Sequence, residues 1–85
     1  MEVVKTSDFD SSFEQLPIDI KRLYVIQEKR FIENRHDPRL HIKKVLDLAS
    51  ALSFRITRRY RVFFYFQNPE KAIFFAIDHR KDIYR

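Results

Sequence analysis

No glycine and no cysteine occur among the 85 residues. Without cysteine there is no disulfide framework and no Cys-based zinc site, which fits a reducing compartment. Average glycine usage of about 7% would give roughly six. Their absence excludes a glycine-rich loop wrapped around a phosphate. It also means that every tight turn is made without the residue that most easily takes positive φ. Long hydrophobic runs are missing as well. The N-terminal MEVVKTSDFD lacks the apolar stretch of a signal peptide, and no segment reaches the roughly 18 apolar residues of a membrane span. These absences predict a soluble, cytoplasmic protein with no membrane partner.

What is present is enough to fold. Hydrophobic residues make up 45% and aromatics 15% of the chain, too much for a disordered tail. The length sets one domain, residues 1–85, with a thin core that buries roughly 60–65% of the unfolded surface. Charge is uneven. Residues 1–34 hold five Lys/Arg against seven Asp/Glu, and residues 35–85 hold twelve against five, within a net charge of +5. The second part therefore carries a basic surface suited to a polyanion such as nucleic acid.

Periodicity gives the elements. Val3 and Val4 have strand propensity, and Thr6, Ser7 and Asp8 are N-cap candidates, Ser7 with Asp10 resembling a capping box. Phe9, Phe13 and Leu16 fall on one helical face. Pro17 separates this helix from a second one, whose buried stripe is expected to be Ile20, Leu23, Tyr24 and Phe31. Residues 8–34 thus read as a helical hairpin. Arg35–Pro38 is a loop. Leu40–Lys43 alternates like a short strand, and Val45, Leu48, Ala49 and Leu52 have helical spacing in a stretch better read as a connection. Phe54–Thr57, Tyr60–Phe66 and Lys71–Ile77 read as strands, with a turn at Gln67–Glu70. The expected fold is α+β, in the order β-α-α-β-β-β, with the hairpin packed on a mainly antiparallel four-stranded sheet.

The segment SFRITRRYRVFFYF, Ser53 to Phe66, sets four arginines among aromatic residues. A two-residue turn at Arg58-Arg59 would pair Arg55 with Val62 and place Arg55 and Arg61 on opposite faces unless a bulge intervenes. The strand from Tyr60 is apolar on both faces, so the face not under the helices is open to a partner. An arginine among rings on such a face suits phosphate and stacked bases; a rim charge paired with a carboxylate is the plainer alternative. The ending DHRKDIYR follows a strand, where His79 can carry protons, Arg80 can stabilise charge and Tyr84 can position a phosphate. His36, Asp37 and His41 do not make a convincing metal set, and Ser50 and Ser53 lie in no nucleophile elbow.

The early DFDSSFEQLP, the block SFRIT followed by YRVFF, and the late HRKDIY together resemble the RelE/ParE superfamily of toxins from toxin–antitoxin pairs. The likeness covers nearly the whole chain, with Arg55 six residues before Arg61 and His79 five before Tyr84. It implies a basic sheet bearing a helical hairpin. It also implies the toxin of a type II pair, with the RelE-like branch favoured: a metal-independent, ribosome-dependent mRNA endonuclease using 2′-hydroxyl attack. A ParE-like inhibitor of DNA gyrase, or a member that only binds its antitoxin, are the alternatives. The implied partners are a cognate antitoxin protein and mRNA on the ribosome, without metal or small-molecule cofactor.

On this reading Arg61 stabilises charge, His79 carries the proton, Arg80 is a substitute acid or second clamp, and Tyr84 orients the phosphate. Lys43, Lys44, Arg55, Arg58, Arg59 and Lys81 are expected to hold RNA. The family commonly has a glycine before the Tyr-Arg pair and another near Val45–Leu52; here Arg58, and Ala49 or Ser50, stand in.

Overall fold

The structure, a computed structural model, describes residues 1–79. Strand β1 (Glu2–Lys5) leads into helix α1 (Ser7–Glu14) and helix α2 (Ile18–Glu33). A 3₁₀ turn (Pro38–Leu40) precedes the two-residue strand β2 (Lys43–Lys44). Then come β3 (Leu52–Arg55), β4 (Tyr60–Asn68) and β5 (Lys71–His79). The architecture is α+β, as expected. The sheet has five strands in the order β1-β5-β4-β3-β2, one more than expected, with β1 parallel to β5 and the other pairs antiparallel. The extra strand comes from the stretch expected to alternate over Leu40–Lys43. Only Lys43 and Lys44 pair with β3, because residues 38–40 close into the 3₁₀ turn and His41 turns left-handed at φ 49°.

Local chemistry explains the ends of the elements. Thr6, not Ser7, caps α1: its Oγ1 accepts from the Phe9 N–H at 3.2 Å. Pro17 sits at the N-cap of α2, where its extended backbone is harmless, and its carbonyl accepts from Ile20 and Lys21. Asn68 Oδ1 accepts from the Glu70 N–H at 2.9 Å, and Pro69 fixes φ, so the β4–β5 hairpin turns without glycine. Residues 45–51 form the expected connection rather than a helix. It closes on hydrogen bonds from Val45 to Ala51, Leu48 to Val45 and Ala51 to Leu48, with Ser50 at φ 64°.

Both helices pack on one face of the sheet. The core there is largely phenylalanine. Phe31 of α2 meets Phe54, Phe64 and Phe74 at ring distances of 5.5, 5.1 and 5.2 Å, the last two edge-on. Such pairs add about 0.5–1.5 kcal/mol each beyond the area they bury. Phe9 of α1 closes the other end against Tyr24 and Phe74. Burial, and after it the Glu28 carboxylate, pushes the Tyr24 hydroxyl above the ordinary tyrosine range. The expected stripe of α2 holds at Tyr24 and Phe31, while Leu23 is exposed and Gln27 takes a buried place instead.

Gln27 is 6% exposed and fully used. Its Nε2 donates to the Arg39 carbonyl at 3.0 Å and the Arg55 carbonyl at 2.6 Å, and its Oε1 accepts from Arg30 Nη1 at 2.9 Å. One amide thus ties α2 to the 3₁₀ turn and to the end of β3. Replacing Gln27 with leucine keeps the apolar bulk and removes the donor to two carbonyls. It should lower the unfolding free energy by about 2–3 kcal/mol in urea titrations, far more than Leu23→Ala at an exposed position. Ser50→Gly should act oppositely, raising stability by about 0.5–1 kcal/mol, because a left-handed backbone is unfavourable for any residue with a Cβ.

Candidate nucleic-acid interface

The register of β3 on β4 decides which side chains meet. The connection closes with Ile56 N–H on the Tyr60 carbonyl at 2.8 Å, so three residues, Thr57, Arg58 and Arg59, form its tip. A two-residue turn was expected. The added residue shifts the pairing by one and sets Arg55 directly opposite Arg61. A shift of one exchanges the faces, so both arginines leave the sheet on the side away from the helices. Phe54 and Val62, the neighbouring pair, are buried under the helices.

Arg61 is 8% exposed, which is low for an arginine on a helix-free face. Its Nε donates to Ser53 Oγ at 2.9 Å and an Nη2 to the His41 carbonyl at 2.7 Å. Ser53 and Arg55 alternate on β3, so the hydroxyl lies beside the guanidinium. The left-handed turn at His41 accompanies the carbonyl contact. Asp78 is the register partner of Arg61 on β5.

These groups line a cleft of about 510 Å³ on the open face, walled by Lys43 and Lys44 of β2, the 45–48 connection, and Ser53, Arg61, Phe63 and Asp78 of the sheet. Beyond it, towards β1, the same face turns apolar: Phe63, Phe75 and Tyr65 lie ring to ring at 6.3 and 5.9 Å.

The expected site residues divide accordingly. Arg61, Lys43 and Lys44 line the cleft. Lys43 pairs with Ser53 and shares the face of Arg61, whereas Lys44 pairs with Leu52 and leaves the sheet on the helix side. Arg55 shares the face, with its Nε buried and without a hydrogen bond among the described residues. Arg58 and Arg59 are exposed at the tip of the β3–β4 connection and do not line the cleft. His79 does not join Arg61. Its partner across the strands is Tyr60, on which it stacks at 4.4 Å and 6°. Tyr60 shares its face with the buried Val62, so His79 leaves the sheet on the helix side. Arg80, Lys81 and Tyr84 lie outside the described residues. Ser53, the His41 carbonyl and Asp78 were not anticipated. Only the register places them around Arg61, and the sequence signal for Ser53 was its spacing of two from Arg55.

No group of three or more His, Asp or Glu side chains is arranged to hold a metal among the described residues, and none of their helices is long and apolar enough to cross a membrane.

A two-helix hairpin packed on one face of a mixed sheet is a fold shared with solved structures of RelE- and ParE-type toxins. The solved structures that share it include the RelB–RelE antitoxin–toxin complex of Methanococcus jannaschii, with a TM-score of 0.75 at 22% identity over 95% of this chain and 94% of that one. They also include the YoeB/ParE toxin of Agrobacterium tumefaciens, with a TM-score of 0.76 at 13% identity over 93% and 98%. YafQ of Escherichia coli reaches 0.75 at only 6% identity over 99% and 98%. No protein-family model matches the sequence. No curated protein matches it either.

Ser53→Ala removes one of the tethers on Arg61. The Arg61 Nε–H proton should then exchange faster with water in NMR spectra, and stability should fall by about 1 kcal/mol. An unchanged Nε–H resonance would show that Ser53 does not hold the guanidinium.

Proposed function

We propose that this chain is the toxin of a type II toxin–antitoxin pair and that it cleaves mRNA on the ribosome. One observation carries the reading. In a fold shared with RelE-type toxins, the helix-free face gathers Arg61 and Lys43 around a cleft, with Arg61 tethered by Ser53 and the His41 carbonyl. A side chain held in advance at the place where charge develops stabilises a transition state without reorganising.

The RNA supplies its own nucleophile, so the chemistry needs no metal. The 2′-hydroxyl oxygen bonds to the adjacent phosphorus as its proton passes to a base. The bond from phosphorus to the 5′-oxygen breaks, and that oxygen takes up a proton. A 2′,3′-cyclic phosphate and a 5′-hydroxyl result. Arg61 is the stabiliser of the pentacoordinate phosphorane's added charge. Lys43 holds a flanking phosphate and is the cationic proton donor on the face of Arg61, and Lys44 backs it from the β2 edge. Arg80 and Tyr84 are proposed as the second clamp and the phosphate-orienting group. The proton-carrying role expected of His79 is not supported by its direction, because its side chain leaves the sheet on the helix side.

The Arg61 cleft beside an apolar sheet face also suits an amphipathic antitoxin with acidic side chains that silences the toxin by covering both. Charge complementarity and the rings of Phe63, Phe75 and Tyr65 supply the two halves of such a contact.

Induced expression followed by primer extension on cellular messages tests the reading. Wild type should give codon-phased cuts, and Arg61→Ala should cut about 10²–10³-fold more slowly while still folding and unfolding cooperatively at the assay temperature. An Arg61→Ala protein that folds normally and cuts at the wild-type rate would sink the assignment. Intact messages with arrested DNA replication would favour the gyrase-inhibiting branch.

A further inference from the structure

A second pocket, of about 570 Å³, opens around the β2 edge from the Arg61 cleft, on the helix side of the sheet. Its floor is Ile42, Leu52 and Phe66, and its rim carries Arg35, His36 and His41. The volume is that of a small-ligand site. The two sites share one wall. His41 and Ile42 line this pocket, and the next two residues, Lys43 and Lys44, line the cleft. The link is also direct, because the His41 carbonyl accepts the Arg61 guanidinium at 2.7 Å.

The pocket is prepared for a flat, anionic group. The Arg35 guanidinium lies over the Phe66 ring, 4.7 Å from its centre, and Nη1 donates to the Pro69 carbonyl at 3.1 Å. Phe66 itself stacks on Phe31 at 6.2 Å and 13°. A guanidinium backed by two layered rings is a stacking platform for a nucleobase. Asp37, the carboxylate at this pocket, is engaged by Arg39 through Nε at 3.0 Å and Nη2 at 2.7 Å, which holds its pKa down to about 2. It therefore presents little uncompensated negative charge to a phosphate. His36 and His41, unconvincing as metal ligands, are here two imidazoles at the mouth of one pocket.

We propose that this pocket takes an unpaired nucleotide of the same RNA strand that crosses the Arg61 cleft, its base on the Arg35–Phe66 platform and its phosphate at His36 and His41. The proposal rests on the nucleic-acid reading of the cleft and extends it: the strand turns around the Lys43–Lys44 edge and is held on both faces of the sheet. An acidic peptide would satisfy the cations but brings no ring for the platform.

The test is fluorescence anisotropy with the full chain and two labelled, unstructured oligoribouridylates, one of about four nucleotides and one of about twelve. Arg35→Ala should weaken the longer probe about tenfold and leave the shorter one unchanged, whereas Arg61→Ala should weaken both. Because Arg35 also braces Pro69, the exposed His36→Ala serves as a second variant with the same expected pattern. A 4-thiouridine version of the longer probe should crosslink to the peptide spanning 35–42.

Equal binding of the longer probe by wild type, Arg35→Ala and His36→Ala overturns the pocket, as does an equal loss on both probes or crosslinking confined to other peptides. In those cases an effect of Arg61→Ala leaves the cleft reading standing. If Arg61→Ala changes neither probe while Arg35→Ala weakens the longer one, the pocket is supported and the cleft reading fails. No binding of either probe to wild type overturns the proposal. So does displacement of the probes by a polyglutamate peptide in wild type but not in Arg35→Ala, which would make the occupant an acidic protein segment.

Discussion

The Gln27 amide is the constraint on which the placement of the site depends. The corner between α2 and β3 buries backbone carbonyls that no ladder reaches, and a buried carbonyl left without a donor costs more than a made hydrogen bond returns. A single Nε2 satisfies two of them, at Arg39 and Arg55. Arg39 belongs to the 3₁₀ turn that ends at Leu40, one residue before His41, and His41 presents the carbonyl that accepts from Arg61. Arg55 is the residue opposite Arg61 in the sheet. A donor on the helix side thus fixes both backbone segments that flank the guanidinium on the other side. This is how a protein with a thin core can hold a charged group in one place.

Setting Arg61 across from Arg55 has a local electrostatic cost, since like charges directly opposite in a sheet repel. Arg61 is also nearly buried, where a charge requires partners. The Ser53 hydroxyl, the His41 carbonyl and the register position of Asp78 moderate that cost. A hydrophobic pair would have served stability better on a face that is otherwise apolar towards Phe63, Phe75 and Tyr65. An arrangement that departs from the stabilising choice in the sheet marks a place shaped by function. The same logic explains the division of the open face. Its β1 side can be covered by apolar contact, and its β2 side asks for an anion.

Much of the fold was legible because it rests on periodicity. The helical spacing of Phe9 and Phe13, the break at Pro17, and the aromatic strands on either side of Asn68-Pro69 all appear where the sequence places them, although α1 ends at Glu14, before Leu16. Register was not legible, because it depends on turn chemistry and this chain lacks glycine, the usual marker of turn type. Nothing in Ile56–Tyr60 announces a three-residue tip rather than a two-residue one. That single residue decides whether Arg55 and Arg61 face each other, and with them whether Ser53 is a tether or an onlooker. The lysine pair was legible as charge expected to hold RNA, but which of the two shares the face of Arg61 was not, since only the pairing of β2 sets Lys43 opposite Ser53 and Lys44 opposite Leu52. His79 was misplaced for a related reason: alternation fixes its side only once its partner is known to be Tyr60.

The missing glycines have a further meaning. Two residues with a Cβ adopt positive φ, His41 at 49° and Ser50 at 64°. Each costs about 1–2 kcal/mol relative to an ordinary conformation. They are not scattered. One precedes β2 and the other lies in the connection that follows it, so the shortest strand of the sheet is held between two strained turns. Strain of this kind persists only where surrounding contacts over-determine the backbone. At His41 those contacts are the guanidinium of Arg61 and the 3₁₀ turn tied down by Gln27. At Ser50 they are the hydrogen bonds that close Val45 on Ala51 and Ala51 on Leu48. Two residues of ladder are too few to position Lys43 and Lys44 on their own. The strained turns supply the missing definition, and they do so at the edge where the cleft and the second pocket meet.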